Sequence, residues 1–216
     1  MPPVFYIIMG PNGAGKSTFG FQYTNGVPVY VPDRRKLEIQ NYLSNLSISQ
    51  RQQYYPAYTS DMFEEMFDLL VDDYQKEEYK ELRQCCTNEL ADFALETPFA
   101  DNFGLNEVRY FKTIGYAIHG IFFGLNTVEQ SITNVSLRVQ KQGHDLPLQS
   151  IRWNFTQCYI NIQKYIELFD TIVFMDAQHP LASPSLVAKY QKNQLTIYND
   201  RPEWLQQLST LKRSKL

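Results

Sequence analysis

The pattern most specific for chemistry is a glycine-rich segment near the start of the chain. It consists of Gly10-Pro11-Asn12-Gly13-Ala14-Gly15-Lys16-Ser17-Thr18, which fits the phosphate-loop pattern G-x-x-x-x-G-K-[ST]. Glycines allow a tight turn whose backbone N–H groups point at phosphate oxygens, and a helix that begins at the loop adds its positive dipole end. Lys16 supplies a cation for the β- and γ-phosphates, and the Ser17 hydroxyl completes the shell of a Mg²⁺ ion. The segment therefore predicts binding of ATP with Mg²⁺, and it leaves open what happens to the nucleotide.

The segments around this loop alternate between strand and helix patterns. Val4–Met9 is a continuous run of β-branched and aromatic residues, typical of a strand buried on both faces. Further strands are predicted at 27–31, 93–97, 117–125 and 171–176, helices at 16–23, 106–116, 127–140 and 149–169, and a hairpin at 186–198 before a last helix. This alternation predicts an α/β fold, a P-loop NTPase-type sheet that is mostly parallel and flanked by helices.

The stretch between the second and third predicted strands differs, because its pattern is helical and polar throughout. Apolar residues recur there at helical spacing around Met62–Leu70, followed by a charged segment at 72–83. We find no internal repeat, low-complexity tract or linker. The expectation is a single domain over residues 1–216, with a helical insertion at about 36–90 and a lid region at about 127–155.

Composition excludes several classes of protein. The 216 residues are 44% hydrophobic and 20% charged with a net charge of −3, which is typical of a globular chain and argues against broad binding of nucleic acid or anionic membranes. The three cysteines, Cys85, Cys86 and Cys158, form no C-x-x-C pair, so neither a disulfide framework nor a zinc site is expected. Without a basic signal-peptide start or an apolar stretch long enough to span a bilayer, we expect a cytoplasmic protein.

A kinase that uses such a loop also needs a carboxylate near the γ-phosphate to accept the proton of the acceptor hydroxyl. Asp33 is the candidate, because it directly follows the second predicted strand, and a parallel sheet would bring it beside the end of the first strand. The alternative for Asp33 is an N-cap of the helix that follows, a common role for Asp after Pro. Both roles stay open for this residue.

Several segments resemble motifs of the zeta toxin family of kinases. Val31-Pro32-Asp33 resembles their N-x-D, and Phe93-Ala94-Leu95-Glu96-Thr97 resembles their F-x-F-E-T-T. The run from Arg138 to Pro147 resembles R-V-x-x-G-G-H-D-V-P, which is far more discriminating than a phosphate loop. The likeness also includes the Gly115-Tyr116 pair, and it runs in order from about residue 4 to residue 176, roughly four-fifths of the chain.

The resemblance implies a P-loop kinase that moves the γ-phosphate of ATP to a hydroxyl of a UDP-activated amino sugar. By the match, Asp33 would be the base, Lys16 and Ser17 would hold ATP and Mg²⁺, and Glu96 and Thr97 would contact the acceptor. The resemblance also implies an antitoxin protein as a partner.

The departures from the family pattern concern charged and loop positions. Asn134 stands one helical turn before Arg138, where the family has arginine, and Asn154 falls in the place of an arginine-containing pair after the proline. Further departures are Val31, Pro98, Gln142 and the closing Asp176-Ala177-Gln178. A transition-state arginine in phosphoryl transfer is worth about 10³–10⁵ in rate, so compensation is required for turnover. Arg138 and Arg152 are the candidates, because both flank the Gly143–Pro147 turn that we expect to close over the phosphates.

Two other functions stay open beside the kinase. Thr171–Asp176 imitates the Walker B strand of transporter-type ATPases, although Ala177 replaces their catalytic glutamate and no L-S-G-G-Q signature is present. A nucleotide-binding regulatory protein that has lost turnover is the second, since the substitutions at 98, 134 and 154 affect positions that the family uses.

Overall fold

The structure is a computed structural model that describes residues 2–140, 146–178 and 182–210. It divides into two compact units. The first unit contains the residues up to Tyr30 and those from Ala91 onward, and the second contains Val31–Leu90.

The first unit is built on a seven-stranded sheet with the order β2-β3-β1-β4-β5-β6-β7. Its strands are β1 Val4–Met9, β2 Val29–Tyr30, β3 Phe93–Glu96, β4 Ala117–Gly124, β5 Thr171–Asp176, β6 Ser185–Gln191 and β7 Gln194–Ile197. Strands β1 to β5 are parallel, and β6 and β7 continue the sheet antiparallel. The mostly parallel α/β sheet predicted from the sequence is confirmed.

The helices of the first unit are close to those predicted. They are α1 Lys16–Phe19, α6 Asn102–Thr113, α7 Val128–Gln140, α8 Leu148–Tyr165 and α9 Glu203–Thr210. The numbers α2 to α5 are used for the helices of the second unit, which are given below. The predicted helix at 16–23 is shorter, because Gly20–Tyr23 forms a 3₁₀ turn. Helix α6 begins before its predicted start, because the Asp101 side chain accepts the Phe103 N–H and caps it.

The sheet is buried on both faces, as the apolar β1 sequence predicts. Neighbouring residues of a strand point to opposite faces, so Tyr6 and Ile8 enter one core while Phe5 enters the other. Phe5 stacks on Phe111 of α6 at 4.2 Å between ring centroids. The predicted hairpin is also confirmed, with Lys192 and Asn193 in the left-handed conformation that two-residue hairpin turns need.

The second unit is helical, as the sequence predicts for this stretch. It consists of α2 Pro32–Ser44, α3 Ile48–Tyr54, α4 Ser60–Glu65 and α5 Phe67–Asn88. Its core includes Ile39, Leu43, Phe63, Leu70 and Val71. No helix in the described ranges is long and apolar enough to cross a membrane.

Tyr159 fastens α8 to the end of β4. Its hydroxyl donates to the Leu125 carbonyl oxygen at 2.7 Å and accepts the Leu125 N–H at 2.8 Å. Both residues are buried, and burial raises the pKa of Tyr159 well above its usual value. One hydroxyl therefore satisfies a buried donor and a buried acceptor.

We expect Tyr159→Phe to lower the free energy of unfolding by about 2–4 kcal/mol, because two buried backbone groups lose their partner at roughly 1–3 kcal/mol each. Urea unfolding followed by circular dichroism measures this loss. Tyr198→Phe is the control, since Tyr198 is exposed. A change for Tyr159→Phe within about 0.5 kcal/mol of that control would contradict the bridging role.

Candidate nucleotide-binding site

The glycine-rich segment forms a loop between the end of β1 and the start of α1. Gly10, Gly13 and Gly15 have φ of +128°, +74° and +81°, the left-handed region that favours glycine. A side chain at Gly10 would overlap the Phe123 carbonyl oxygen, and one at Gly13 would place its Cβ 2.7 Å from the Cβ of Asn134. The glycines of the motif are therefore required by both conformation and space.

Lys16 directs its ammonium group into this loop. The side chain is buried, and Nζ donates to the carbonyl oxygens of Gly10 and Pro11, each at 2.9 Å. A buried cation held by neutral carbonyls can exchange these bonds for stronger ones with phosphate oxygens. The arrangement fits the role predicted for Lys16.

The structure brings Ser17 and Glu96 together. Glu96 ends β3, which lies beside β1 with Ile8 paired to Glu96, and the Ser17 hydroxyl donates to Glu96 Oε1 at 2.8 Å. A hydroxyl and a carboxylate are hard oxygen ligands of the kind that Mg²⁺ prefers. The donor set therefore fits a magnesium ion at the predicted residue Ser17, and Glu96 joins it, a pairing that the sequence did not predict.

Two other residues near the strand ends form hydrogen bonds with nearby protein groups. Thr97 is buried and its Oγ1 accepts the Phe99 N–H at 3.1 Å. Asp176, the Walker B imitation, accepts bonds at Oδ1 from Gln178 and from the Trp204 indole N–H, both at 3.1 Å. Within residues 2–140, 146–178 and 182–210 there is no cluster of three or more His, Cys, Asp or Glu side chains suited to a metal.

Side chains of α7 and α8 hold the tip of the loop. Ser131 Oγ donates to the Asn12 carbonyl oxygen at 2.6 Å, and Asn134 Nδ2 donates to the Gly13 carbonyl oxygen at 3.0 Å. Asn154 Nδ2 donates to Asn12 Oδ1 at 2.8 Å. The two asparagines that stand in place of family arginines are thus bonded to the loop itself.

Sequence reasoning missed Ser131. The available signal is its spacing, because residues three apart in a helix lie on the same face, and Ser131 precedes Asn134 by three. A small polar residue is common in helices, so this signal alone does not identify a loop contact.

The two candidate arginines differ in position. Arg138 lies one turn after Asn134 on α7. Arg152 is exposed on α8, with Nη1 4.0 Å from Glu129 Oε1, and it lies about 200° around the helix from Asn154. The structure therefore brings Asn154, not Arg152, to the loop. Residues 143–145 of the predicted lid turn lie outside the described residues.

Asp33 belongs to the second unit, where it is the second residue of α2. The N-cap of this helix is Val31, so the alternative role considered for Asp33, that of the N-cap, is excluded. Pro32 occupies the first helical position, so the cap lies two residues before Asp33. The exposed Asp33 carboxylate still lies in the first turn, where a negative charge is favourable to the helix dipole.

Comparison with known proteins shows a shared fold. No protein-family model and no curated protein matches this sequence. A crystal structure of AvrRxo1-ORF1:-ORF2 with ATP matches with a TM-score of 0.62 and 12% identity, over 97% of this chain and 64% of that chain. A structure from the PezAT chromosomal toxin–antitoxin system of Streptococcus pneumoniae matches with a TM-score of 0.59 and 15% identity, over 98% of this chain and 86% of that one. The predicted P-loop fold class is thereby confirmed, and this chain spans 64% of the length of the matched AvrRxo1 chain.

Cys158 of α8 provides a chemical test of the packing around Lys16. Burial raises the pKa of its thiol to about 12, and the nearby Lys16 charge acts in the opposite direction. Because only the thiolate is nucleophilic, a folded thiol with this pKa stays protonated and unreactive at pH 8.

We expect iodoacetamide at pH 8 to alkylate the exposed Cys85 in the folded protein and to leave Cys158 unmodified until urea unfolds the chain. Peptide mass spectrometry at several reaction times measures the alkylation of Cys85 and of Cys158. Cys85→Ser is the control that identifies the fast site. Modification of Cys158 at the rate of Cys85 would contradict the burial of α8 against the loop.

Proposed function

We propose that the protein is an ATP- and Mg²⁺-dependent kinase that transfers the γ-phosphate to a hydroxyl of a small molecule. The observation that carries the proposal is the combination of a buried Lys16 directed into a glycine loop with the Ser17–Glu96 pair beside it. Together these groups supply a cation for the phosphates and oxygen ligands for a divalent ion.

The proposed mechanism divides the tasks between the loop, the Ser17–Glu96 pair and two arginines. The amides of residues 10–18 and the Lys16 ammonium would hold the β- and γ-phosphates. A Mg²⁺ ion, held by Ser17 with Glu96 beside it, would neutralise charge on the phosphates. Charge developing on the transferred group would be neutralised by Arg138, with Arg152 as a second source if its side chain leaves Glu129.

Asp33 is the proposed base that accepts the proton of the acceptor hydroxyl. Its support is the resemblance of Val31-Pro32-Asp33 to the N-x-D motif of zeta toxin kinases. The Asp33 side chain is exposed, so its carboxylate is available to accept a proton.

The proposed acceptor is a UDP-activated amino sugar, with Glu96 and Thr97 as contacts. Its support is the resemblance of residues 93–97 and 138–147 to zeta toxin motifs. An antitoxin protein is the proposed macromolecular partner, since the PezAT and AvrRxo1-ORF1:-ORF2 structures come from a toxin–antitoxin system and a two-protein complex.

One observation favours a second function, a nucleotide-binding regulatory protein without turnover. Asn134 and Asn154 donate to the loop and carry no charge, so neither neutralises the transferring phosphoryl group. If Arg138 and Arg152 do not replace that charge, nucleotide binding would persist while transfer falls to background.

Mass spectrometry of products distinguishes these functions. The protein is incubated with ATP, Mg²⁺ and a panel of UDP-sugars, nucleosides and small alcohols, with Lys16→Ala as the control for contaminating kinases. We expect ADP and a phosphorylated UDP amino sugar, both absent with Lys16→Ala. Phosphorylation of another compound of the panel would support the proposed kinase activity and overturn the UDP amino sugar as the proposed acceptor. ADP with free phosphate alone would indicate an ATPase, and bound ATP without any product would favour the regulatory protein.

Asp33→Asn tests the proposed base. We expect transfer to fall by about 10²–10⁴ while ATP affinity is retained, because the substitution removes the proton acceptor and leaves the loop unchanged. Asp61→Asn is the matched control, since Asp61 is also an exposed first-turn carboxylate of a helix in the second unit. Equal transfer rates for the two variants would remove Asp33 from the mechanism.

A further inference from the structure

Three hydrogen bonds join helices α7 and α8 to two consecutive residues at the tip of the phosphate loop. Ser131 and Asn134 each donate to a loop carbonyl, and Asn154 donates to the side chain of Asn12. Ser131 and Asn12 are buried, so water does not compete freely for the hydrogen bond between them. The loop is therefore held from outside its own sequence.

The two carbonyl contacts determine where the loop amides point. In a planar trans peptide the C=O and N–H point in opposite directions. Because the Asn12 carbonyl faces Ser131 and the Gly13 carbonyl faces Asn134, the N–H groups of Gly13 and Ala14 point away from α7. The Ala14 N–H lies 3.3 Å from the Pro11 carbonyl oxygen, a long bond inside the loop that a phosphate oxygen can replace.

Close packing leaves the loop little freedom to turn these peptides. A Cβ on Gly13 would lie 2.7 Å from the Asn134 Cβ and 3.0 Å from the Ser131 carbonyl oxygen. The backbone of α7 thus approaches the loop as closely as glycine permits. Rotating the peptide that follows Gly13 would break the hydrogen bond between its carbonyl oxygen and Asn134.

We propose that Ser131, Asn134 and Asn154 are positioning residues that orient the phosphate loop for its anion. The proposal rests on the proposed function, namely that this loop binds ATP. Asn134 and Asn154 then act on the nucleotide through the loop, without touching the phosphates. Their neutral amides are suited to this task, because an amide donates to a carbonyl at short range without adding charge.

The test measures affinity for ATP and for inorganic triphosphate by calorimetry. We expect Asn134→Ala and Asn154→Ala each to weaken binding by about 3- to 10-fold, the worth of one hydrogen bond. The loss should be the same for both ligands, because the loop amides contact phosphate only. A loss confined to ATP would overturn the proposal, since it would indicate contact with the nucleoside.

Asn161→Ala is the matched control. Asn161 lies on the same helix, two turns after Asn154, and its Nδ2 donates to the carbonyl oxygens of Phe99 and Ala100 at 3.0 and 3.1 Å. This variant removes contacts of the same chemistry away from the loop tip, so we expect a lower melting temperature and unchanged affinity. An affinity loss equal to that of Asn154→Ala would show a general structural effect and overturn the proposal.

A double-mutant cycle tests the pair of Asn12 and Asn154 directly. If Asn154 acts through Asn12, its substitution should have little further effect in an Asn12→Ala background, so the two losses are not additive. Additive losses would contradict this route. Failure of the proposed function gives a different result, because the unsubstituted protein would then bind neither ligand. Normal binding by the unsubstituted protein and by all asparagine variants would overturn only the positioning role.

Discussion

The direction in which the phosphate-loop peptides face is the constraint on which the rest of the site depends. A loop binds an anion only when several N–H groups converge, and peptide planarity requires the matching carbonyls to point outward. Here Ser131 and Asn134 stabilise that geometry by donating to the carbonyls of Asn12 and Gly13. The anion binding that we propose would therefore depend on the packing between the loop and α7, and glycine at position 13 allows this close packing.

The order of the strands gives the same site its acidic group. Because β3 lies directly beside β1 in a parallel sheet, the carboxyl end of β3 delivers Glu96 to the start of α1, where Ser17 donates to it. A carboxylate beside a bound triphosphate would repel it, and a divalent cation between the two groups turns this repulsion into attraction. Glu96 thus gives a physical reason for the magnesium dependence that we propose.

The sequence was sufficient for features that depend on local pattern and insufficient for those that depend on distant partners. Val4–Met9 and Thr171–Asp176 are strands as predicted, because uninterrupted apolar runs need burial on both faces. The loop was evident from its glycines and Lys16. The contacts of Ser131 and Asn154 were not, because their partner Asn12 is 119 and 142 residues away in the chain. The resemblance identified positions 134 and 154 only as places where the zeta toxin family has arginine.

The two asparagines, which contact the loop at positions where the resembled family has arginines, have different consequences for the proposed binding and for the proposed turnover. Binding a triphosphate requires converging amides and one well-placed cation, which the loop and Lys16 provide. Transfer further requires positive charge at the place where negative charge develops on the phosphoryl group. A neutral amide directed at a carbonyl contributes no such charge. In the proposed kinase, the asparagines would therefore support binding of the nucleotide, and turnover would depend on Arg138. Since Arg138 follows Asn134 by one turn on α7, the helix that we propose orients the loop also carries the arginine on which transfer by the proposed kinase would depend.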